Sequence, residues 1–166
     1  MKLFREYFFL LITLIALNGC TPPMQYQSKL DPLALQQMQT QEFETSKQIL
    51  FAATVSVFQD TGFTIEAASL ESGIITAKSP NTTKSMGLVI ATLWIRTSAF
   101  VEETRPGFAK VRLNYTESTS YYGGYGESPS TDIPNEDPAY YEKIFNKIRE
   151  AVFLREAYKA TPESPK

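Results

Sequence analysis

The chain has 166 residues, 43% of them hydrophobic, with 16 Lys and Arg against 18 Asp and Glu, one Cys and no His. That length makes one modest domain, and a formal charge of −2 leaves no broad basic surface for a phosphate backbone, so nucleic acid is excluded as a partner. A lone Cys and the lack of His exclude an internal disulfide, a structural zinc site and every His-dependent triad; no metal or cofactor is expected.

Residues 1 to 19 read as a signal peptide: Lys2 and Arg5 in a short positive head, an apolar run from Tyr7 to Leu17, then small residues. The run is too short to span a bilayer, which takes about 20 residues of helix. Leu17-Asn18-Gly19-Cys20 then resembles the lipobox of bacterial lipoproteins. The resemblance implies diacylglycerol on the Cys20 sulfur, cleavage between Gly19 and Cys20, and acylation of the new amino terminus. With Thr21 rather than Asp next, it also implies sorting to the outer membrane, facing the periplasm. From Cys20 onward the chain carries 14 positive and 17 negative side chains, so attachment would rest on acyl chains and not on attraction to anionic lipid. Residues 20 to 35, with Pro22, Pro23 and Asp31-Pro32, read as the lipidated Cys and a linker.

A single domain is expected over 36 to 160. Residues 36 to 44 alternate weakly, as a first edge strand or an extra amino-terminal helical turn would, with the strand favoured. Thr45-Ser46-Lys47-Gln48 has the spacing of a capping box, and Ile49, Leu50, Ala53, Val57 and Phe58 recur on one face of a helix that Gly62 stops. Phe63, Ile65 and Ala67 alternate as a strand, Glu71-Ser72-Gly73 turns, and Ile74 to Lys78 returns antiparallel. Residues 79 to 87 read as a polar loop. Two long period-two runs follow, Ala91 to Glu103 and Ala109 to Tyr115, joined at Arg105-Pro106-Gly107. Residues 118 to 136, headed by Tyr121-Tyr122-Gly123-Gly124-Tyr125, lose all periodicity and read as a mobile loop. Asp137-Pro138 opens a helix whose stripe is Tyr141, Ile144, Phe145, Ile148, Ala151 and Val152; residues 161 to 166 read as a disordered tail.

This order predicts an α+β two-layer sandwich: an antiparallel sheet of four or five strands with two helices on one face and the other face open. With Leu93, Val101, Val111 and Leu113 toward the helices, Trp94, Arg96, Phe100 and Arg112 fall on the open face. Gln39-Thr40, Phe43-Glu44-Thr45, Ala52, Val57, Gln59-Asp60-Thr61-Gly62-Phe63 and Gly73-Ile74-Ile75-Thr76-Ala77-Lys78 together resemble a group of small Gram-negative lipoproteins. The element order is similar to that of the small domains of the barrel-assembly lipoprotein BamC. Neither resemblance implies catalytic residues.

The catalytic inventory is thin. Glu102 and Glu103 point to opposite faces of a strand, no Gly-x-Ser-x-Gly or Ser-x-x-Lys is present, and Gly123-Gly124-Tyr125-Gly126 lacks the Lys-Ser/Thr of a phosphate loop. A non-enzymatic protein is expected. Tyrosine offers large contact area at low entropy cost, so Tyr121, Tyr122 and Tyr125, with Trp94 and Phe100, are the candidate residues for binding an envelope protein. The alternative is a carrier of a small lipid or glycan fragment between sheet and helices.

Overall fold

The computed structural model describes residue 26, residues 28 to 124 and residues 126 to 160. Gly19, Cys20 and the rest of the signal and lipobox region, Tyr125, and the tail from 161 lie outside the described residues.

In chain order the elements are α1 (Pro32–Met38), β1 (Thr40–Phe43), α2 (Lys47–Asp60), β2 (Thr64–Ser69), β3 (Ile74–Lys78), β4 (Thr82–Met86), β5 (Val89–Arg105), β6 (Phe108–Gly123), β7 (Gly126–Glu127), β8 (Thr131–Pro134) and α3 (Pro138–Ala160). The main sheet runs β1-β6-β5-β3-β2, every neighbouring pair antiparallel. β4 adds to β5, while β7 and β8 add to β6. The fold is α+β as the sequence predicts, an antiparallel sheet of five main strands packed with helices.

Two helix boundaries carry the punctuation the sequence announces. The Asp137 carboxylate accepts the Ala139 N–H at 3.0 Å, with Pro138 at the first helical position of α3. α2 ends in a Schellman arrangement: Gly62 (φ +88°) donates to Gln59 and Phe63 donates to Phe58, satisfying carbonyls the helix leaves open. Its N-cap is Ser46, which accepts from the Ile49 N–H, and not Thr45. The Thr45 hydroxyl donates to Glu156 on α3, so the side chain that fits the capping box is spent on the neighbouring helix.

The core lies between the helices and one sheet face. Leu50, Ala53, Val57 and Phe58 of α2 and Tyr141, Ile144, Phe145 and Ile148 of α3 bury against Ile75, Ala77, Ala99, Val101, Val111, Leu113 and Tyr115. Arg155 of α3 also donates to the Ala52 carbonyl at 3.1 Å, tying the two helices together. Phe58, Phe63, Tyr140 and Tyr141 meet Tyr115 edge-on, with centroids 4.9 to 6.2 Å away, the geometry ring quadrupoles favour.

Three sequence expectations are corrected. Residues 32 to 38 belong to α1, capped by Asp31 accepting from Leu33 and Ala34 N–H groups, so the linker ends earlier and β1 is confined to 40–43. Residues 82 to 86 form β4 within the stretch read as a loop. Residues 118 to 123 continue β6, and β7 and β8 pair back on it, where a mobile loop was expected. In the last two cases the backbone ladder continues past the helix layer, so no apolar period marks it: β4 is exposed at every position, and the β6 positions facing away from the helices there are Ser118 and Ser120.

Beyond Thr97 and Tyr115 the long strands β5 and β6, of 17 and 16 residues, therefore stand out as a ribbon edged by β4, β7 and β8. At the root of this ribbon the amino-terminal segment is pinned: the Glu136 carboxylate, just before α3, accepts the Lys29 N–H at 3.2 Å. The Ser28 hydroxyl and the Tyr26 phenol beside it hold the Glu136 carboxyl below its usual range.

Candidate functional site

The period-two reading of β5 places its side chains correctly. Ala91, Thr97, Ala99 and Val101 are buried toward the helices, and Trp94, Arg96 and Phe100 lie on the opposite face. Register assembles that face into rows across the strands. Ile74, Phe100 and Arg112 form one row; Thr76, Ser98 and Asn114 the next; then Lys78, Arg96 and Thr116; then Trp94, Ser118 and Asp132. Phe100 and Ile74 are 43% and 48% exposed.

Two cations of the adjacent row lie over Trp94. Lys78 Nζ sits 4.9 Å from its ring centroid and Arg96 Cζ 5.8 Å, each contact worth about 0.5–1 kcal/mol at an open site. Arg96 also reaches Asp132 at 4.0 Å, the limit of an ion pair, with both side chains about half exposed. The indole Nε1–H and the Ser118 hydroxyl, which face each other across the strand pair, are buried without hydrogen-bond partners. A shallow depression of about 210 Å³ continues from there, lined by Glu66, Thr76, Arg96, Ser98, Asn114 and Thr116.

Arg112 joins this face to the helix layer. Its Nη2 donates to Gln39 Oε1 at 3.4 Å, Gln39 Nε2 donates to the Tyr141 hydroxyl at 3.3 Å, and that hydroxyl donates to the Asn135 carbonyl at 3.1 Å. Burial raises the Tyr141 phenol above its usual range, against the Gln39 bond and nearby Arg112, which lower it.

No family model matches this sequence, and no curated protein matches it. Among solved structures, the chain is similar to a DUF4468 family protein from Bacteroides ovatus, at 11% identity over 76% of this chain and 88% of that one, with a TM-score of 0.38. That likeness assigns no residue a role.

The tyrosines expected to serve a loop are placed otherwise. Tyr121 and Tyr122 are strand residues of β6 on opposite faces, opposite Ala91 and Ile90. Tyr122 shares the open face with Trp94 and Phe100, two rows beyond Trp94 on the side away from Phe100, whereas Tyr121 lies on the helix-facing side. Their neighbours are Met86, Leu88, Val89 and Ile90 at the β4–β5 turn, an exposed apolar cluster missed by a reading that ended a polar loop at Gly87. The signal was present as Met86-Gly87-Leu88-Val89-Ile90, glycine at the first turn position between apolar flanks.

On the helix-facing side of the ribbon lies an open cleft of about 320 Å³, lined by Ser79, Thr82, Lys84, Leu93, Ile95, Glu117 and Thr119 among others. Lys84 and Glu117 give it one charge of each sign. Among the described residues no three Asp, Glu, Cys or His side chains converge as metal ligands would, and no helix is long and apolar enough to cross a membrane. The carboxylates Glu102 and Glu42 are engaged on the surface by Lys110 at 2.9 Å and Arg105 at 3.0 Å.

Proposed function

We propose that this chain is a non-enzymatic binding module of the bacterial envelope, anchored in the outer membrane through acylated Cys20, which takes a carboxylate-bearing segment of another envelope protein on its open sheet face. The observation that carries the reading is the strip of Ile74, Phe100, Arg112, Arg96, Trp94 and Lys78 on a sheet face that no described element covers. Aromatic and Arg side chains concentrate binding energy where a partner excludes water from them. The three cations there face two nearby carboxylates, Asp132 and Glu66, and that balance favours an acidic partner segment.

The test is a photo-crosslinking residue at Phe100 in the intact cell, with the same residue at exposed Lys143 of α3 as control. One envelope protein should be captured from position 100 alone. Arg96→Glu should cut that capture about ten-fold, the loss from a charge clash worth about 1.4 kcal/mol. Equal capture at both positions, or indifference to the charge reversal, removes the sheet face from the reading.

A second reading, carriage of a small lipid or glycan fragment, has the 320 Å³ cleft in its favour. It expects a ligand-dependent change in the emission of Trp94, the one tryptophan of the chain, whose strand β5 forms the cleft floor.

A further inference from the structure

We propose that the tip of the β4–β5 ribbon dips into the surface of the bilayer that holds the lipidated amino terminus; this rests on the reading of Cys20 as an acylated anchor. The tip is built to expose apolar side chains. Met86 pairs with Val89, leaving Gly87 and Leu88 as a two-residue turn, and Gly87, at φ +68°, takes the first position of a type II′ hairpin. Leu88 is thereby carried to the apex, 96% exposed.

Behind it the cluster wraps both faces of the ribbon. Val89 and Tyr121 lie on the helix-facing side, Ile90 and Tyr122 on the other, and all four are exposed, as is Met86. A protein partner usually covers one face of a strand pair. A lipid interface surrounds it, so apolar side chains on both faces and at the apex suit lipid better. The two phenols stand one step behind the apex, where tyrosine sits at headgroup level with its ring buried and its hydroxyl wet. Charge begins at the level of the phenols, with Lys84 in the Ala91–Tyr121 row and Glu127 opposite Tyr122 and accepting from the Ser120 hydroxyl. That ring sets the depth: the charge-free tip covers about two residues of strand, roughly 7 Å, which matches the 5–10 Å that apolar faces penetrate at an interface.

The tether permits this placement. Only five residues separate Cys20 from Tyr26, which is pinned with Lys29 beside Glu136, and the six steps between the two reach at most about 20 Å. The residue before Glu136, Asn135, donates its N–H to the Tyr115 carbonyl. From there to the Tyr122 row is seven residues of β6, roughly 23 Å. With the anchor in lipid, a tether of that reach lets the ribbon tip come to the bilayer surface.

The test uses the full chain made in a cell that acylates lipoproteins, where modified Cys20 leaves no free thiol. Leu88→Cys, at a position too exposed to disturb folding, is labelled with an environment-sensitive fluorophore. The protein is then reconstituted in phosphatidylethanolamine–phosphatidylglycerol vesicles with and without lipid spin-labelled on the acyl chain; Glu150→Cys on the open side of α3 is the control. The emission from position 88 should shift to the blue and be quenched about two-fold by the spin label, as for a residue buried 5–10 Å deep, and position 150 should do neither. Protein that floats with the vesicles while position 88 stays in water overturns the tip proposal and leaves the anchor standing. A blue shift without quenching overturns it too, because protein then covers the tip, a second copy included. Protein that fails to float at all removes the anchor reading, and the tip proposal with it.

Discussion

Replacing Gly73 by Ala should destabilise the domain by about 3 kcal/mol, whereas the same replacement at Gly62 should cost about 1 kcal/mol. Both glycines sit at positive φ, +76° and +88°, so both pay the left-handed penalty of a side chain. Their surroundings differ. A Cβ on Gly62 meets nothing within 4 Å, while one on Gly73 would lie 2.0 Å from the Val101 carbonyl oxygen. That oxygen belongs to the middle of β5, and the Val101 N–H donates to the Gly73 carbonyl at 2.8 Å. The β2–β3 turn cannot retreat without breaking this bond and loosening the Lys47 Nζ bond to the Glu71 carbonyl at 2.9 Å, which holds the turn to α2. In urea the Gly73→Ala midpoint should fall well below that of Gly62→Ala at unchanged slope, and the thermal midpoint by about 10 °C. Equal losses for the two variants would mean that the turn moves freely and that its packing against β5 contributes nothing.

The helix layer explains what was legible in the sequence. Where α2 and α3 cover the sheet, burial alternates with the pleat, and Ala99, Val101, Val111 and Leu113 announce both the strands and their inward face. The capping residues are local chemistry and read equally well: Asp137-Pro138 and Gly62 do what their types predict. Where the helices end, the strands continue on backbone hydrogen bonds alone. Thr82-Thr83-Lys84-Ser85 and Ser118 to Ser120 are β-compatible but carry no apolar period, so composition made them loops. α1 was hidden differently, by a short length and a stripe that buries nothing fully.

The candidate site divides along the same line. Trp94, Arg96, Phe100 and Arg112 could be put on one face because they belong to the periodic part of β5 and β6. What brings Lys78 over Trp94 is the β3–β5 register, Lys78 opposite Arg96, and register across a long connection is not written in either strand alone. Tyr121 and Tyr122 were singled out by composition, but their neighbours at the β4–β5 tip depend on a hairpin that was not recognised.

Tyr115 is the residue on which core packing and pH dependence meet, and truncation to Ala should cost about 4 kcal/mol. It is 1% exposed, and four aromatic rings pack edge-on around it, from α2, the strand entry at Phe63, and α3. Tyr115→Phe keeps that packing. The hydroxyl it removes is buried without a hydrogen-bond partner, as is the hydroxyl of Thr97 opposite it, so the substitution should leave stability within about 1 kcal/mol of the parent or raise it. The same burial pushes the Tyr115 phenol far above its usual range, and neighbouring Tyr140 pushes it further. Tyr140 and Tyr141 move in the same direction, chiefly by burial. In the unfolded chain these phenols release protons near pH 10, whereas the folded protein retains them. Above that pH the unfolded state holds fewer protons than the native one, and stability falls as pH rises; below it the groups are neutral in both states and contribute no slope. Urea midpoints at pH 8 and at about pH 11 should therefore drop steeply for the parent and less for Tyr115→Phe, by about one proton's share. A Tyr115→Phe drop as large as the parent's would mean that the Tyr115 phenol ionises within the fold, and that the ring cluster admits water at its centre.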